Sequence, residues 1–220
     1  MRNSGVASMD QATVIEKLEH RISELEEQLS ELKRQLEIDP KSKIYNSRGL
    51  DRAWGKTRES YARAVYSLTI GDTVPDPFGV LIMIDINSFK KVNDHFGHLM
   101  GDRVLQSLAQ SALERIRNPE DIVARLGERS DEFVLYLHQV TKDTAVSILK
   151  DIHESMVLGI CITDEERQLS KEVLGQDHPA SFSYGMKGIT RTSIHWDFDL
   201  LLEQAEARNP KYLELRQRRS

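Results

Sequence analysis

Apolar residues recur near the start of the chain at alternating intervals of three and four. The repeat runs without a miss from Ile15 to Leu36, and polar or charged residues fill the positions between. A strict a/d pattern of this kind is typical of a coiled coil, whereas an ordinary amphipathic helix carries a broader stripe that drifts around its axis. The pattern predicts a coiled-coil helix over residues 12–38, after a disordered N-terminus at residues 1–11. The seam positions are Ile15, Leu18, Ile22, Leu25, Leu29, Leu32 and Leu36.

Two interpretations of this helix are open, because it could dimerise or pack on its own body. Isoleucine at Ile15 and Ile22, with leucine at every d position, favours a parallel two-stranded coil. Arg21 at a g position would face Glu26 at an e position of a partner, which is an attractive pair. Since the apolar face is narrow and its flanks are charged, we expect a homodimer through this helix.

Asp39-Pro40 ends the coiled coil, because the residue before proline resists the helical region. No linker divides residues 39–220, which we therefore expect to form one domain. Hydrophobic periodicity predicts helices at 49–68, 101–117, 143–156 and 197–208, a turn-rich stretch after the first strand, and strands at 80–86, 122–126, 133–137, 158–163 and 181–187. This order predicts an α+β fold with a ferredoxin-like βαββαβ core.

The net charge of −5 is concentrated in the predicted coil, since residues 10–39 hold nine acids and four bases while the rest balances at 26 of each. The body therefore lacks a global basic field for nucleic acid. The longest aliphatic run, Val80–Ile84, is far short of the roughly 20 residues of a membrane span, and no signal sequence is visible. We expect a cytoplasmic protein. The one cysteine, Cys161, excludes an internal disulfide and is expected to be buried in its apolar stretch.

Acidic residues interrupt apolar runs at two places. Asp85 follows the first aliphatic run, and Asp131 and Glu132 precede Phe133 at the tip of a predicted hairpin. In a ferredoxin-like unit the first and third strands are adjacent, so Asp85 and Asp131 would lie side by side. Converging carboxylates suit Mg²⁺ bound to phosphates, which is the arrangement of nucleotidyl transfer. Taken singly, each acid also fits an ordinary strand end or turn.

The segment between these acids adds groups that could bind a nucleotide. Lys90 offers charge to phosphate, and Asn93 and Asp102 could pair with a purine edge. VLIMIDINSFKKVNDHFGHLMGDRVL (80–105), followed by ARLGERSDEFVLYL (124–137), resembles the GGDEF family of diguanylate cyclases. The family pattern, an aliphatic run and then D-x-D/N-x-F-K-x-x-N-D-x-x-G-H-x-x-G-D, is matched at nearly every defined position. IDPKSKIYNSRGL (38–50) also resembles the family's usual opening, D-P-L-T-G-L-Y-N-R-R-G-L.

This resemblance implies a palm-type nucleotidyl cyclase that joins two GTP molecules into cyclic di-GMP and releases pyrophosphate. Each of two domains would hold one GTP, with the sites face to face in a homodimer. By motif position, Mg²⁺ (or Mn²⁺) would be bound by Asp85, by Asp131 and by the backbone carbonyl of Ile86. The remaining implied roles are guanine recognition by Asn93 and Asp102, phosphate contact by Lys90 and assistance in catalysis by Glu132.

The chain departs from the family pattern in three places. Where the family reads R-x-G-G-D-E-F, this chain reads R-L-G-E-R-S-D-E-F (125–133), with two added residues. The C-terminal A-K-x-x-G-R-N pattern, which supplies phosphate contacts, is interrupted by Pro210. The inhibitory product site, R-x-x-D, retains only Asp121, so we expect it to be absent. Two functions are therefore open: a working cyclase, or a degenerate GGDEF module that binds GTP or a protein partner without turnover.

Overall fold

The computed structural model describes residues 5–66, 78–116, 118–128, 130–190, 193 and 198–206. The chain divides into two units, Met1–Glu37 and Ile38–Ser220. The described part of the first unit is one helix, α1 (Gly5–Glu37), which begins within the stretch 1–11 expected to be disordered. All seven seam residues of α1 keep between 47% and 59% of their surface exposed. The single chain therefore leaves the whole apolar seam of this helix uncovered.

The second unit alternates helices with the strands of one sheet. Its strands are antiparallel in the order β2-β3-β1-β4, so that β1 and β3 are the central pair. This order confirms the predicted α+β fold and its ferredoxin-like core. The elements are α2 (Ser47–Tyr66), β1 (Gly79–Ile86), α3 (Phe89–Phe96), α4 (His98–Arg115), β2 (Ile122–Arg125), β3 (Glu132–His138), α5 (Lys142–Leu158), α6 (Asp164–Leu174), β4 (Phe182–Ile189) and α7 (Phe198–Glu206).

Strand β1 is buried along its whole length because both faces of the sheet are covered. Val80, Ile82 and Ile84 join one core cluster, which includes buried residues of α4 and α5. Leu81 and Met83 join a second cluster with residues of α2 and α7. This double burial explains why β1 is a continuous aliphatic run rather than an alternating one. It also holds Asp85, the acid that follows this run, in a fixed position.

Residues 38–45 form a tight turn that leads into α2. Lys43 adopts a left-handed conformation with φ +62° in this turn. Tyr45 then runs parallel to the outer strand β2, where its carbonyl accepts a hydrogen bond from the Arg125 amide at 2.8 Å and its own amide donates to the Val123 carbonyl at 3.3 Å. The turn therefore covers part of the outer edge of the sheet.

The predicted strand at 158–163 is wrong. Helix α5 continues through Leu158, irregular backbone follows, and Cys161 is exposed rather than buried. A new helix, α6, then begins at a capping box, in which the Thr163 hydroxyl accepts from the Glu166 amide and the Glu166 carboxylate accepts from the Thr163 amide. A short apolar run fits a strand or a helix end equally well, so periodicity alone misassigned it.

Helix α3 occupies the stretch after β1 for which the sequence pattern predicts turns. Ser88 precedes α3 in a left-handed conformation, with φ +53°, and Gly97 follows it with φ +82°. Gly97 is also the N-cap residue of α4. This helix starts at His98 rather than at the predicted Gly101. Over the residues that the structure describes, the other predicted helices are confirmed as α2, α5 and α7. Within the described residues, no helix is both long and apolar enough to cross a bilayer.

Candidate active site

The C-terminal end of β1 and the beginning of β3 bring the predicted acidic residues to one end of the sheet. Asp85, only 6% exposed, lies directly opposite Glu132 in the strand register. The amide of Ile86 donates a hydrogen bond to the carbonyl of Asp131 at 3.2 Å. In this register, Asp131 therefore lies one residue beyond the Asp85–Glu132 pair. The backbone of the central strand pair holds all four predicted residues together.

The oxygen atoms at this end of the sheet are a suitable but incomplete set of ligands for Mg²⁺. They include the carboxylates of Asp85 and Asp131 and the carbonyl of Ile86, and oxygen is the donor that Mg²⁺ prefers. Among the residues that the structure describes, no group of three or more His, Cys, Asp or Glu side chains could hold a metal. Mg²⁺ commonly takes one or two carboxylates and completes its shell with water and substrate phosphates. The donor set therefore fits a metal that binds together with a nucleotide.

A second group of predicted residues meets at the corner between α3 and α4. Gly97 allows the chain to reverse there, and its amide donates to the carbonyl of Asn93 at 3.1 Å. Gly101 lies against the amide side chain of Asn93 so closely that a Cβ atom at this position would collide with the Asn93 Oδ1 atom. Asp102 is the next residue of α4. The glycine therefore lets the two predicted guanine-binding side chains occupy the same corner.

Sequence reasoning missed one polar contact in this corner. The Lys41 ammonium group donates to the Asp102 Oδ1 atom at 2.7 Å. Lys41 belongs to the turn before α2 and lies 61 positions before Asp102, so no local pattern could reveal the pair. The predicted phosphate-binding residue Lys90 is exposed on α3. Its neighbour Lys91 donates to the carbonyl of Val173 at 3.3 Å.

The altered hairpin between β2 and β3 is held by a buried arginine. Arg125 is 2% exposed. Its Nε atom donates to the Ser130 carbonyl at 2.9 Å, and its Nη2 atom donates to the Glu128 carbonyl at 3.1 Å. The Nη1 atom forms an ion pair with the Asp39 Oδ1 atom at 3.2 Å. One side chain thus fixes both the hairpin and the turn that begins at Asp39.

Asp39 is itself enclosed by hydrogen bonds. Its Oδ1 atom accepts from the Ser42 amide at 2.7 Å and from the Ser42 hydroxyl at 2.6 Å. Burial raises the pKa of the Asp39 carboxyl, but the bonds from Ser42 and the charge of Arg125 lower it by more. The pKa therefore lies below its ordinary value of 3.8. The ion pair is consequently charged at neutral pH.

Ser130 replaces the second glycine of the family pattern and makes two bonds to Glu132. Its hydroxyl donates to the Glu132 Oε2 atom at 3.0 Å and accepts from the Glu132 amide at 3.1 Å. The first glycine is retained as Gly127, which has φ +83°. The Ser130 side chain therefore restrains the carboxylate next to Asp131. Arg129, between the added residues, lies outside the described part of the chain.

Asp121, the remnant of the predicted inhibitory site, binds backbone. One oxygen accepts from the His138 amide at 2.7 Å and the other from the Asn118 amide at 3.1 Å. These bonds tie the start of β2 to the end of β3. The neighbouring Arg117 and the candidate C-terminal phosphate ligands lie outside the described residues. Those candidates are Arg208, Lys211 and Arg216, the basic residues near Pro210 that could replace the lysine and arginine of the family's C-terminal pattern.

Comparison with known sequences agrees with the resemblance. The sequence model of the family described as "Diguanylate cyclase, GGDEF domain" matches residues 36–174. The probable diguanylate cyclase DgcE of Escherichia coli (strain K12) is 32% identical over 131 residues, which are 52% of this chain and 12% of that protein. The chain spans less than a quarter of the length of the first curated relatives it matches.

Comparison with solved structures agrees with the fold. The diguanylate cyclase SiaD of Pseudomonas aeruginosa, solved with its activator SiaC, aligns with a TM-score of 0.60 at 23% identity, over 92% of this chain and 68% of that one. The coiled coil and GGDEF domain of DgcB from Caulobacter crescentus, solved with c-di-GMP, aligns with a TM-score of 0.60 at 19% identity, over 90% of this chain and 91% of that one. At these identities the likeness shows a shared fold.

Proposed function

Because the chain belongs to the GGDEF domain family, we propose that it is a diguanylate cyclase that condenses two GTP molecules into cyclic di-GMP. In each of two steps, the 3′-oxygen of one nucleotide bonds to the α-phosphorus of the other, and the bond to the departing pyrophosphate breaks. The register that sets Asp85 opposite Glu132 and Ile86 beside Asp131 carries the proposal. Asp85, which is only 6% exposed, is held at this end of the sheet by the fully buried central strand β1.

In this proposal, residues at different positions of the site bind the metal, contact the phosphates and assist catalysis. Asp85, Asp131 and the Ile86 carbonyl hold Mg²⁺ (or Mn²⁺), which when bound supplies positive charge beside the phosphates. Lys90 adds charge near the phosphates from α3, and Glu132 assists beside Asp131. Catalysis by such groups is mainly positioning and electrostatic stabilisation.

In this proposal, guanine binds at the corner between α3 and α4. Asn93 and Asp102 form the guanine subsite, because a carboxylate accepts hydrogen bonds from the two adjacent N–H donors on the guanine edge. Gly101 supports this role by leaving room for the Asn93 amide. The corner therefore orients the base, and with it the ribose and phosphates, over the acidic end of the sheet.

The test is to incubate the purified chain with GTP and Mg²⁺ and to measure cyclic di-GMP by mass spectrometry. We expect product from the parent chain and a loss of at least about a hundredfold in Asp131→Ala and in Asp85→Ala. Asp143→Asn is the control, because this acid lies in the first turn of α5, beyond the opposite end of β3. GTP binding without product from the parent chain would contradict the cyclase.

A second candidate function is favoured by the hairpin. Two added residues and the Ser130 side chain occupy the place where the family has a short glycine turn, and that turn lets phosphates approach the backbone. A degenerate module would bind GTP or a protein partner as a regulatory domain. The same assay separates the two functions, since the degenerate module releases no cyclic di-GMP from GTP and Mg²⁺.

Activity further requires two copies, because each domain holds one GTP. The exposed seam of α1 supports a parallel coiled coil as the device that pairs them. In the single chain Arg21 bonds to Glu24 at 2.7 Å, and in the dimer it would also face Glu26 of a second copy. The related structure from Caulobacter crescentus also comprises a coiled coil and a GGDEF domain.

The dimer is tested by placing a charge in the seam. Leu25→Lys is expected to shift the chain to monomer in light scattering and to abolish product formation, because d positions must be apolar. Ser30→Lys adds the same charge at a b position of the same helix, away from the seam, and should remain dimeric. A dimer that survives Leu25→Lys would show that α1 does not pair the domains.

A further inference from the structure

We propose that Lys41 completes the guanine subsite and sets its preference for guanine over adenine. Its ammonium group donates to O6 of the base, while Asp102 accepts from the neighbouring N–H donors. The inference rests on the proposed function, because it takes Asp102 to be the residue that recognises guanine. Lys41 departs from the family's usual opening, D-P-L-T, which has leucine at this position.

The ion pair between Lys41 and Asp102 is accessible to a ligand. The Lys41 Nζ atom lies 2.7 Å from the Asp102 Oδ1 atom, and the two side chains are 49% and 36% exposed. Exposed pairs of this kind contribute little to stability, so a ligand could share the contact at little cost to folding. An ammonium group has three donors, and a single bond to Oδ1 leaves two for a ligand. The pair therefore presents donors and acceptors side by side.

The backbone that carries Lys41 is held in place by bonds that do not involve its side chain. The Asp39 carboxylate accepts from the Ser42 amide at 2.7 Å, and the Asp39 carbonyl accepts from the Lys43 amide at 2.9 Å. Arg125 in turn binds the Asp39 carboxylate. The turn is therefore formed before any ligand arrives, which reduces the entropic cost of using Lys41 in binding.

The donor pattern of guanine matches this pair of side chains. Guanine presents N1–H and N2–H donors to a carboxylate, and its O6 acceptor is adjacent to N1. A cation on the carboxylate oxygen that accepts from N1–H therefore faces O6, an acceptor that lysine commonly contacts in guanine recognition. Adenine has an amino donor in place of O6, which would face the ammonium group. Lys41 thus attracts guanine and repels adenine.

Lys41 could instead compete with the base for Asp102, and this alternative can be distinguished from a contact to O6. If Lys41 merely occupied Asp102 and had to be displaced by the base, its removal would tighten nucleotide binding. If Lys41 contacts O6, its removal weakens binding, and the loss depends on the atom at position 6 of the base. Both the sign of the change and its dependence on that atom can be measured.

The experiment titrates the full chain with GDP and with 6-thioguanosine 5′-diphosphate in Mg²⁺, by calorimetry. Diphosphates cannot release pyrophosphate, and the thio analogue keeps N1–H and N2–H while it replaces O6 with a weak acceptor. We expect Lys41→Met to weaken GDP binding about tenfold and to remove the preference of the parent chain for GDP over the thio analogue. Lys41→Arg should keep most of that preference. Lys43→Met removes a charge from the same turn and should stay within about twofold of the parent.

Each result decides the inference. Unchanged or tighter GDP binding by Lys41→Met overturns it, and so does an equal loss for both nucleotides. Circular dichroism of each variant verifies that the fold is retained. A parent chain that binds GDP in a Lys41-dependent manner but forms no cyclic di-GMP would refute the cyclase and uphold the inference. A parent chain that binds no guanine nucleotide would refute both.

Discussion

The α3–α4 corner and the β2–β3 hairpin lie at the same end of the sheet but are built on different principles. In the corner, the proposed guanine subsite depends on side chains that a close backbone approach brings together, as when Gly101 makes room for the Asn93 amide. In the hairpin, a buried side chain holds backbone, since Arg125 donates to the carbonyls of Glu128 and Ser130. The corner follows the family pattern, whereas the hairpin departs from it.

The difference between the corner and the hairpin shows which positions tolerate substitution. A carbonyl is the same acceptor whatever side chain its residue carries, so Arg125 can hold a longer hairpin with new residues in it. The corner has no such freedom if the proposed subsite is correct, because guanine would bind to the side-chain atoms of Asn93 and Asp102 themselves. We therefore expect substitutions of Arg125 and Ser130 in the hairpin to act on stability, and substitutions in the corner to act on binding.

Arg125→Met should have the largest effect on stability. It leaves the Asp39 carboxylate buried without its cation and frees two hairpin carbonyls, and breaking such a buried pair costs about 3–5 kcal/mol. Urea unfolding of the full chain measures this loss. The double variant Arg125→Met/Asp39→Leu should recover part of it, because no buried charge is left alone. A single-variant cost below about 1 kcal/mol would show that Arg125 does not anchor the hairpin.

Gly101→Ala should separate binding from stability in the corner. The new Cβ atom would displace the Asn93 amide, so we expect GDP affinity to fall about tenfold. Alanine also favours the helix by up to about 1 kcal/mol, which offsets the crowding of a movable side chain. Calorimetry with GDP and thermal unfolding together give both quantities.

Gly55→Ala in α2 is the matched control for this variant. A Cβ atom at Gly55 meets nothing within 4 Å, so the substitution should stabilise the chain by about 0.5–1 kcal/mol and leave GDP binding unchanged. Equal GDP affinity in both glycine variants would contradict the role assigned to the close approach at Gly101.

Ser130→Ala should have a smaller effect in the hairpin. It removes the bonds to the carboxylate and the amide of Glu132, and a loss of about 1 kcal/mol in the free energy of unfolding follows. Ser130→Gly restores the family residue and tests whether the loss comes from the hydroxyl or from backbone freedom. If Ser130→Ala is neutral while Ser130→Gly is destabilising, the hydroxyl bonds do not stabilise the hairpin.

The smallest expected effect is a dependence on pH below neutrality. Because the pKa of Asp39 is lowered from 3.8 in the folded chain, its ionised form stabilises the fold above that pH, and this stabilisation is lost as the pH falls further. The difference in stability between the parent chain and Asp39→Asn should therefore shrink from about pH 5 to about pH 3. A constant difference would contradict the charged pair. The stability measurements are made without GDP, so binding at the corner does not affect them.

Sequence patterns predicted the sheet and its central pair because the aliphatic run of β1 and the alternation in β2 and β3 report burial directly. They also located Asp85 and Asp131, since acids beside buried strands are conspicuous. They misassigned 158–163, where a short apolar run had no periodicity to distinguish strand from helix end. The capping pattern Thr163–Glu166 was present in the sequence and could have revealed α6.

Long-range polar contacts were beyond the reach of these patterns. Lys41 meets Asp102 and Arg125 meets Asp39 only after the sheet and its helices have formed, and 61 and 86 positions separate the partners. Nothing in the local sequence of a lysine distinguishes a ligand contact from a solvated charge. Such pairs are fixed by tertiary packing, which single-sequence periodicity does not encode.

The two hydrogen bonds between Tyr45 and β2 limit how far the second unit, Ile38–Ser220, could be shortened from its N-terminal end. The outer edge of a sheet offers unpaired backbone groups to other chains and can nucleate aggregation. Here the turn before α2 occupies part of that edge, so these residues protect solubility as well as lead into α2. A truncation that aims to keep the body alone must retain the chain from Asp39 onward. Removing residues through Tyr45 would expose β2 to edge-to-edge association.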